Sequence, residues 1–288
     1  MTAITVSAIK TVGVIGAGIM GNGIAQAFAQ SGFNVILTDQ KLEFAEKGLV
    51  KIKSSFAKFV EKGKFSSKDM DKALAAITLS SEFKKLDDAD LIIEAVNEDW
   101  TIKESVWGQL DSICPPHTIF ASNTSSIPIT KLAAVTNRPE QFVGMHFMNP
   151  VPLMKLVEII RGYHTSDAVV TCVVELTKAL DKTPVEANDF PGFISNRILL
   201  PMINEAIFAL QEGVGTKEAI DTVMKLGMNH PMGPLELADF IGLDTCLNIL
   251  NMLFEGFKDP KYRPAPLLVQ MVQAKTLGKK TCQGFYQY

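Results

Sequence analysis

Hydrophobic positions along this chain fall into two regimes. From residue 12 to about residue 188, short apolar runs alternate with stretches of helical periodicity; beyond 189 only the helical pattern remains. The first run, Val12-Gly13-Val14-Ile15, has the length and character of a strand buried on both faces. Helix-forming Ile24 to Ala29 and a second strand, Asn34 to Asp39, follow it. Further strands are expected at Ile77–Leu79, Asp90–Val96, Thr118–Ala121, Phe142–Met145, Leu156–Ile160 and Lys182–Glu186, with helices over Ile102–Leu110 and from Asp167 to about Leu180. Residues 43–75 break the rhythm. Phe44, Leu49, Ile52, Phe56, Phe59 and Val60 recur at helical spacing, Gly63-Lys64 turns the chain, and Ser66 to Asp69 supplies capping chemistry for a second helix. The pattern predicts an α/β domain over 1–188, a doubly wound and mostly parallel sheet with a helical hairpin inserted at about 43–75. An all-α domain over 189–288 follows, with helices at Phe193–Leu210, Lys217–Leu226, Pro234–Leu253 and Ala265–Lys275.

The turn after the first strand changes the picture. Gly16-Ala17-Gly18-Ile19-Met20-Gly21 joins strand to helix, and Asp39 closes the next strand 23 residues beyond Gly16. Gly16 allows the tight turn, Gly18 lets a pyrophosphate approach the helix N-terminus, and Gly21 lets helix and strand pack closely. A glycine motif alone is weak evidence, but strand, helix and acid in register make this a Rossmann-like dinucleotide site. Asp39 is placed to accept from the ribose hydroxyls and would repel a 2′-phosphate, which favours NAD over NADP; Lys41 close by leaves NADP as the lesser alternative.

Composition narrows the class. The chain has 288 residues, 47% hydrophobic and 20% charged, with a net charge of −3. No basic patch points to nucleic acid, and no apolar run approaches the ~20 residues that span a bilayer. The cysteines, Cys114, Cys172, Cys246 and Cys282, lack metal-ligand spacing and read as reduced thiols. The expectation is a cytoplasmic protein without a metal, or one of the mitochondrial matrix if a transit peptide has been removed. Helices apolar around most of their circumference, such as Ile198–Ile203 and Leu243–Leu253, need cover that a small domain cannot supply, which points to a homodimer through the C-terminal domain.

Candidate chemistry concentrates in Phe142 to Ile160. Glu158 lies inside an apolar run, where an unpaired carboxylate would cost several kcal/mol, and the nearest obvious partner is His146. Asn149-Pro150-Val151-Pro152 must turn between them. An imidazole can move the hydroxyl proton in hydride chemistry while a carboxylate holds its tautomer. Ser125, in the hydroxyl-rich loop Ser122 to Ser126, and Asn196, beyond Pro191-Gly192, could donate to a substrate oxygen. Each of these has a blander reading as a core, capping or turn residue. Lys58 and Lys62, one helical turn apart, are either a solvated face or a clamp for a polyanionic handle.

Val12–Gly21, Ser122–Ser126 (SNTSS), His146–Glu158 (HFMNPVPLMKLVE), Pro191–Arg197 (PGFISNR), Asn229–Leu237 and Gly284–Tyr286 together closely resemble the L-3-hydroxyacyl-CoA dehydrogenase family, nearest its bacterial branch acting on 3-hydroxybutyryl-CoA. The resemblance covers essentially the whole chain. It implies an NAD-dependent enzyme interconverting (S)-3-hydroxyacyl-CoA and 3-oxoacyl-CoA, with His146 as base, Glu158 as its partner, and Ser125 and Asn196 as substrate-oxygen contacts. It further implies cofactor contacts from Gly16, Gly18, Ile19, Met20, Gly21, Asp39, Glu98, Lys103, Asn123, Ser125 and Asn149, and CoA contacts from Lys58 and Lys62. Met148 stands where the family usually has Phe, and Cys282 where it usually has Gly; neither change removes a catalytic group. The alternatives are a dehydrogenase of the same fold acting on a free hydroxy acid, and an NAD-binding structural protein without turnover. The latter would be marked by loss of a catalytic residue.

Overall fold

The computed structural model describes residues 5–288; the first four, counted with the first domain above, lie outside the described residues. The chain divides into two compact units, one ending at Asp189 and one running from Phe190 to Tyr288.

Among the described residues, the first unit carries one eight-stranded sheet. Its strands are β1 (Thr11–Ile15), β2 (Asn34–Thr38), β3 (Ile77–Ser80), β4 (Leu91–Glu94), β5 (Ile119–Ser122), β6 (Phe142–Phe147), β7 (Leu156–Arg161) and β8 (Thr183–Asn188), in the spatial order β3-β2-β1-β4-β5-β6-β7-β8. Every pairing is parallel except β6 with β7. The central strands are continuous apolar runs because helices cover both faces: β4 and β6 have no exposed position. The strand order reverses between β1 and β4, and a ligand site of an open α/β sheet lies beyond the carboxyl ends at such a point.

The helices of this unit are α1 (Ile19–Gln30), α2 (Leu42–Glu61), α3 (Ser67–Ala75), α4 (Trp100–Ile113), α5 (Ile129–Ala133) and α6 (Asp167–Ala179). α2 and α3 form the expected hairpin. Ala45, Ile52 and Phe56 of α2 are buried, and the Ser66 hydroxyl caps α3 by accepting from the Asp69 N–H at 3.0 Å. The five-residue α5 was not foreseen. It is too short to show a period, and its first amide groups are capped by a residue distant in sequence, with the Asp189 carboxylate accepting from Ile129 N and Thr130 N.

The second unit contains α7 (Ser195–Gln211), α8 (Lys217–Thr222), α9 (Pro234–Ile241), α10 (Leu243–Phe257) and α11 (Pro266–Gln273). Two expectations need correction. The single helix expected over Pro234–Leu253 is two, bent by 98° at Gly242, whose φ of 102° no helix interior can hold. The helix from Lys217 ends at Thr222 and continues as a wider π turn over Val223–Gly227. No single helix among the described residues is long and apolar enough to cross a membrane. Cys282 has a φ of 58°, a left-handed conformation that favours glycine.

Candidate active site

At the carboxyl end of β1 the glycine loop is built as its spacing requires. Gly16 has a φ of 95°, and a Cβ there would lie 2.6 Å from the Ala95 carbonyl oxygen; a Cβ on Gly21 would collide with the Gly16 carbonyl at 1.7 Å. Gly18, by contrast, faces open space at the N-terminus of α1, with Ile19 exposed and Met20 half-buried in the first turn. A pyrophosphate fits that opening, where backbone N–H groups and the helix dipole favour an anion. Asp39 stands at the end of β2. Its Oδ2 accepts from Ala17 N at 2.7 Å and its Oδ1 from Gln40 N at 2.8 Å. The carboxylate therefore braces the glycine loop, a role not read from the sequence, and each oxygen keeps a further lone pair for a ribose hydroxyl.

A buried charge cluster underlies the next two strand ends. Glu94 closes β4 with no exposed surface; its Oε1 meets the equally buried Lys103 ammonium at 2.5 Å, and its Oε2 accepts from Ser122 Oγ at 2.7 Å. Lys103 also lies 3.3 Å from Glu98. Glu98 Oε1 accepts from Ser125 N at 3.0 Å, from Ser126 N at 2.9 Å, from Ser126 Oγ at 2.6 Å and from Thr124 Oγ1. Burial alone would raise the Glu98 carboxyl, but the Lys103 charge and the Ser126 and Thr124 hydroxyls outweigh it and hold its pKa below the usual carboxylate range. The sequence reading took Glu98 and Lys103 as cofactor-side groups. The structure gives Glu98 a grip on the Thr124–Ser126 loop, and sets the Lys103 ammonium between two carboxylates. Glu94 was missed, although an acid inside Leu91-Ile92-Ile93-Glu94-Ala95-Val96 carries the same signal as Glu158.

His146 and Glu158 are direct cross-strand partners of the antiparallel β6–β7 pair, so their side chains share one face. His146 Nδ1 lies 2.7 Å from Glu158 Oε2, with the histidine 8% and the glutamate 1% exposed. The hydrogen bond expected across the Asn-Pro-Val-Pro turn is present, and a carboxylate this deep requires such a partner. Asn123, expected on the cofactor, accepts from Phe147 N at 2.9 Å and so ties the hydroxyl-rich loop to the end of β6. Ser125 is half-buried in that loop, and Asn149 is exposed on the turn after β6. Lys58 and Lys62 are both exposed at the C-terminal end of α2. Asn196 belongs to the second unit, where it is half-buried in the first turn of α7 and its N–H bonds the Gly192 carbonyl at 3.1 Å.

Residues 11–190 match the family model for the 3-hydroxyacyl-CoA dehydrogenase NAD binding domain, and residues 192–288 match the model for its C-terminal domain. The chain belongs to the 3-hydroxyacyl-CoA dehydrogenase family. It is 56% identical over 280 residues, spanning 97% of this chain and 98% of the relative, to a probable 3-hydroxybutyryl-CoA dehydrogenase of Bacillus subtilis. It is 42% identical, over 97% of this chain and 91% of the relative, to the mitochondrial hydroxyacyl-coenzyme A dehydrogenase of Sus scrofa. Among solved structures, the (S)-3-hydroxybutyryl-CoA dehydrogenase of Ralstonia eutropha superposes with a TM-score of 0.95 at 51% identity, covering 97% of this chain and 99% of that one. As a family member the chain is a dehydrogenase whose first domain binds NAD.

Proposed function

We propose that this dehydrogenase interconverts (S)-3-hydroxyacyl-CoA and 3-oxoacyl-CoA, with short chains such as 3-hydroxybutyryl and acetoacetyl preferred and NAD favoured over NADP. The observation that carries the reading is the buried His146–Glu158 pair at the end of β6, in the same sheet whose β1 leads into a glycine loop open to a pyrophosphate. Bound NAD supplies the hydride acceptor. With Nδ1 engaged by Glu158, proton exchange with the substrate hydroxyl falls to His146 Nε2, and Glu158 fixes the tautomer and offsets the imidazolium charge. Ser125 donates to the substrate oxygen, as does Asn196, the latter on the family resemblance alone. Asp39 reads the ribose, while Glu98, Lys103, Asn123 and Asn149 shape the nicotinamide side. Lys58 and Lys62 offer two positive charges to the phosphates of CoA.

The deciding assay follows NADH consumption with acetoacetyl-CoA and, in parallel, with free acetoacetate. The thioester should be reduced faster by orders of magnitude. Comparable rates would instead mark an enzyme of free hydroxy acids.

The same proposal includes a homodimer formed through the second unit. Ile198, Val223, Leu226 and Phe240 are exposed there, and an apolar cavity of about 500 Å³ opens between α7, α8 and α9. Sedimentation at micromolar concentration should give twice the 31.5 kDa chain mass; a monomer would refute it.

A further inference from the structure

The buried amine of Lys182 is absorbed by none of the roles above. The residue is 8% exposed, and among the described residues its ammonium forms no ion pair. Nζ instead donates to two main-chain carbonyls of the turn between β6 and β7, Val151 O at 2.6 Å and Met154 O at 2.7 Å. A buried amine outside ion-pair reach of a carboxylate is costly, and here the two carbonyls answer it. What the amine supplies is geometry.

The turn it holds is closed on itself, since Leu153 N and Met154 N both donate to Pro150 O at 3.0 Å. It is anchored at two further points. Phe147 N donates to Asn123, and the buried Val151 rests on α1 where Gly23 has no side chain; a Cβ on Gly23 would lie 2.9 Å from Val151 Cβ. Asn149 lies in sequence between these anchors, three residues after His146. Burial, with the Lys155 charge nearby, lowers the Lys182 pKa below the usual lysine range, against the opposing pull of Asp181. Either protonation state keeps the two hydrogens that the two carbonyls need.

We propose that Lys182 is a positioning residue for the dehydrogenase reaction: by gripping Val151 O and Met154 O it fixes the turn that joins the His146 strand to the Glu158 strand and carries Asn149. The inference rests on the roles assigned above to His146 and Asn149, and its test is arranged to stand apart from them.

Lys182→Met removes the donor at nearly constant volume. In the cofactor-free protein, hydrogen exchange of the peptide covering 147–156 should quicken at least tenfold at Leu153 and Met154, while exchange across α6 stays unchanged. With NADH and acetoacetyl-CoA, kcat per NADH-binding site should fall at least tenfold, with the NADH Kd from fluorescence titration raised no more than about threefold. A merely structural lysine would lower Tm and the number of binding sites while leaving both per-site values in place. Parental exchange in the turn, or a per-site kcat within twofold of the parent, overturns the proposal. Should Lys182→Met not fold, Lys182→Gln, whose shorter side chain cannot reach both carbonyls, takes its place, and the same two outcomes decide. If the parent protein does not oxidise NADH with acetoacetyl-CoA, the functional reading fails, and the exchange measurement still reports whether Lys182 holds the turn.

Discussion

Glu158 Oε2 lies 2.7 Å from His146 Nδ1 because the two residues are register partners on the sheet's antiparallel pair. The acid is buried, and the ring beside it answers its charge. His146→Gln keeps a hydrogen-bonding side chain but cannot carry a proton. Turnover with acetoacetyl-CoA should fall by about 10²–10⁴-fold with the NADH Kd nearly unchanged. Steady-state kinetics beside fluorescence titration will check this, and near-normal turnover rules His146 out as the base.

Asp39 should prove to have two duties. Asp39→Ser removes both the ribose acceptor and the brace on Ala17 N. NADH binding should weaken by at least about tenfold, and the NADPH-to-NADH ratio of kcat/KM should rise because the charge opposing a 2′-phosphate is gone. An unchanged cofactor ratio would mean that Asp39 braces the loop without reading the ribose.

Glu98 links stability to pH. Its folded pKa is lowered, so its contribution is fully present above the ordinary carboxylate value of 4.5 and is lost as pH falls through the lower, folded value. Glu98→Gln should lose about 1 kcal/mol near neutrality, the low end of the range because the side chain is 35% exposed. The gap between parent and variant should stay constant from neutrality down to about pH 5 and close under more acidic conditions. Urea melts across that range measure it; a gap independent of pH would contradict the proposed grip on Ser125 and Ser126.

In the second unit, Asp239 should contribute strongly to stability. Only 1% exposed, it accepts from Phe285 N and Tyr286 N at 2.9 Å each and from Tyr288 Oη at 3.1 Å. Asp239→Ala leaves those donors unanswered. The loss should reach about 2–3 kcal/mol, read as a lower Tm with the C-terminal peptide exchanging faster. A Tm within one degree of the parent would show that water replaces the carboxylate.

Much of this protein was legible in its sequence because the signals are local. Strand-turn-helix spacing at Val12 to Gly21, with an acid closing the next strand, announces a phosphate-binding loop because the positive φ of Gly16 and the approach of Gly21 to the Gly16 carbonyl arise within a few residues; the approach of Ala95 to Gly16 does not. Glu158 could be singled out from its apolar neighbours alone, and the turn after Phe147 made His146 the obvious partner. The periodicity of α2 and Ser66 before α3 likewise announced the hairpin.

Tertiary structure decided whatever depends on groups brought together from distant segments. Glu94, Lys103 and Ser122 meet because β4 and β5 are parallel neighbours ending in register and the first turn of α4 brings Lys103 to them, and no local pattern states that Glu98 will receive the amides of Ser125 and Ser126. Gly242 lies within an otherwise continuous helical pattern, and only its backbone conformation turns one expected helix into two. Lys182 read as a polar residue opening a short strand; its two carbonyl partners lie about thirty positions earlier in the chain. Periodicity records which face of an element is buried. Which polar groups meet once that face is covered is settled by packing.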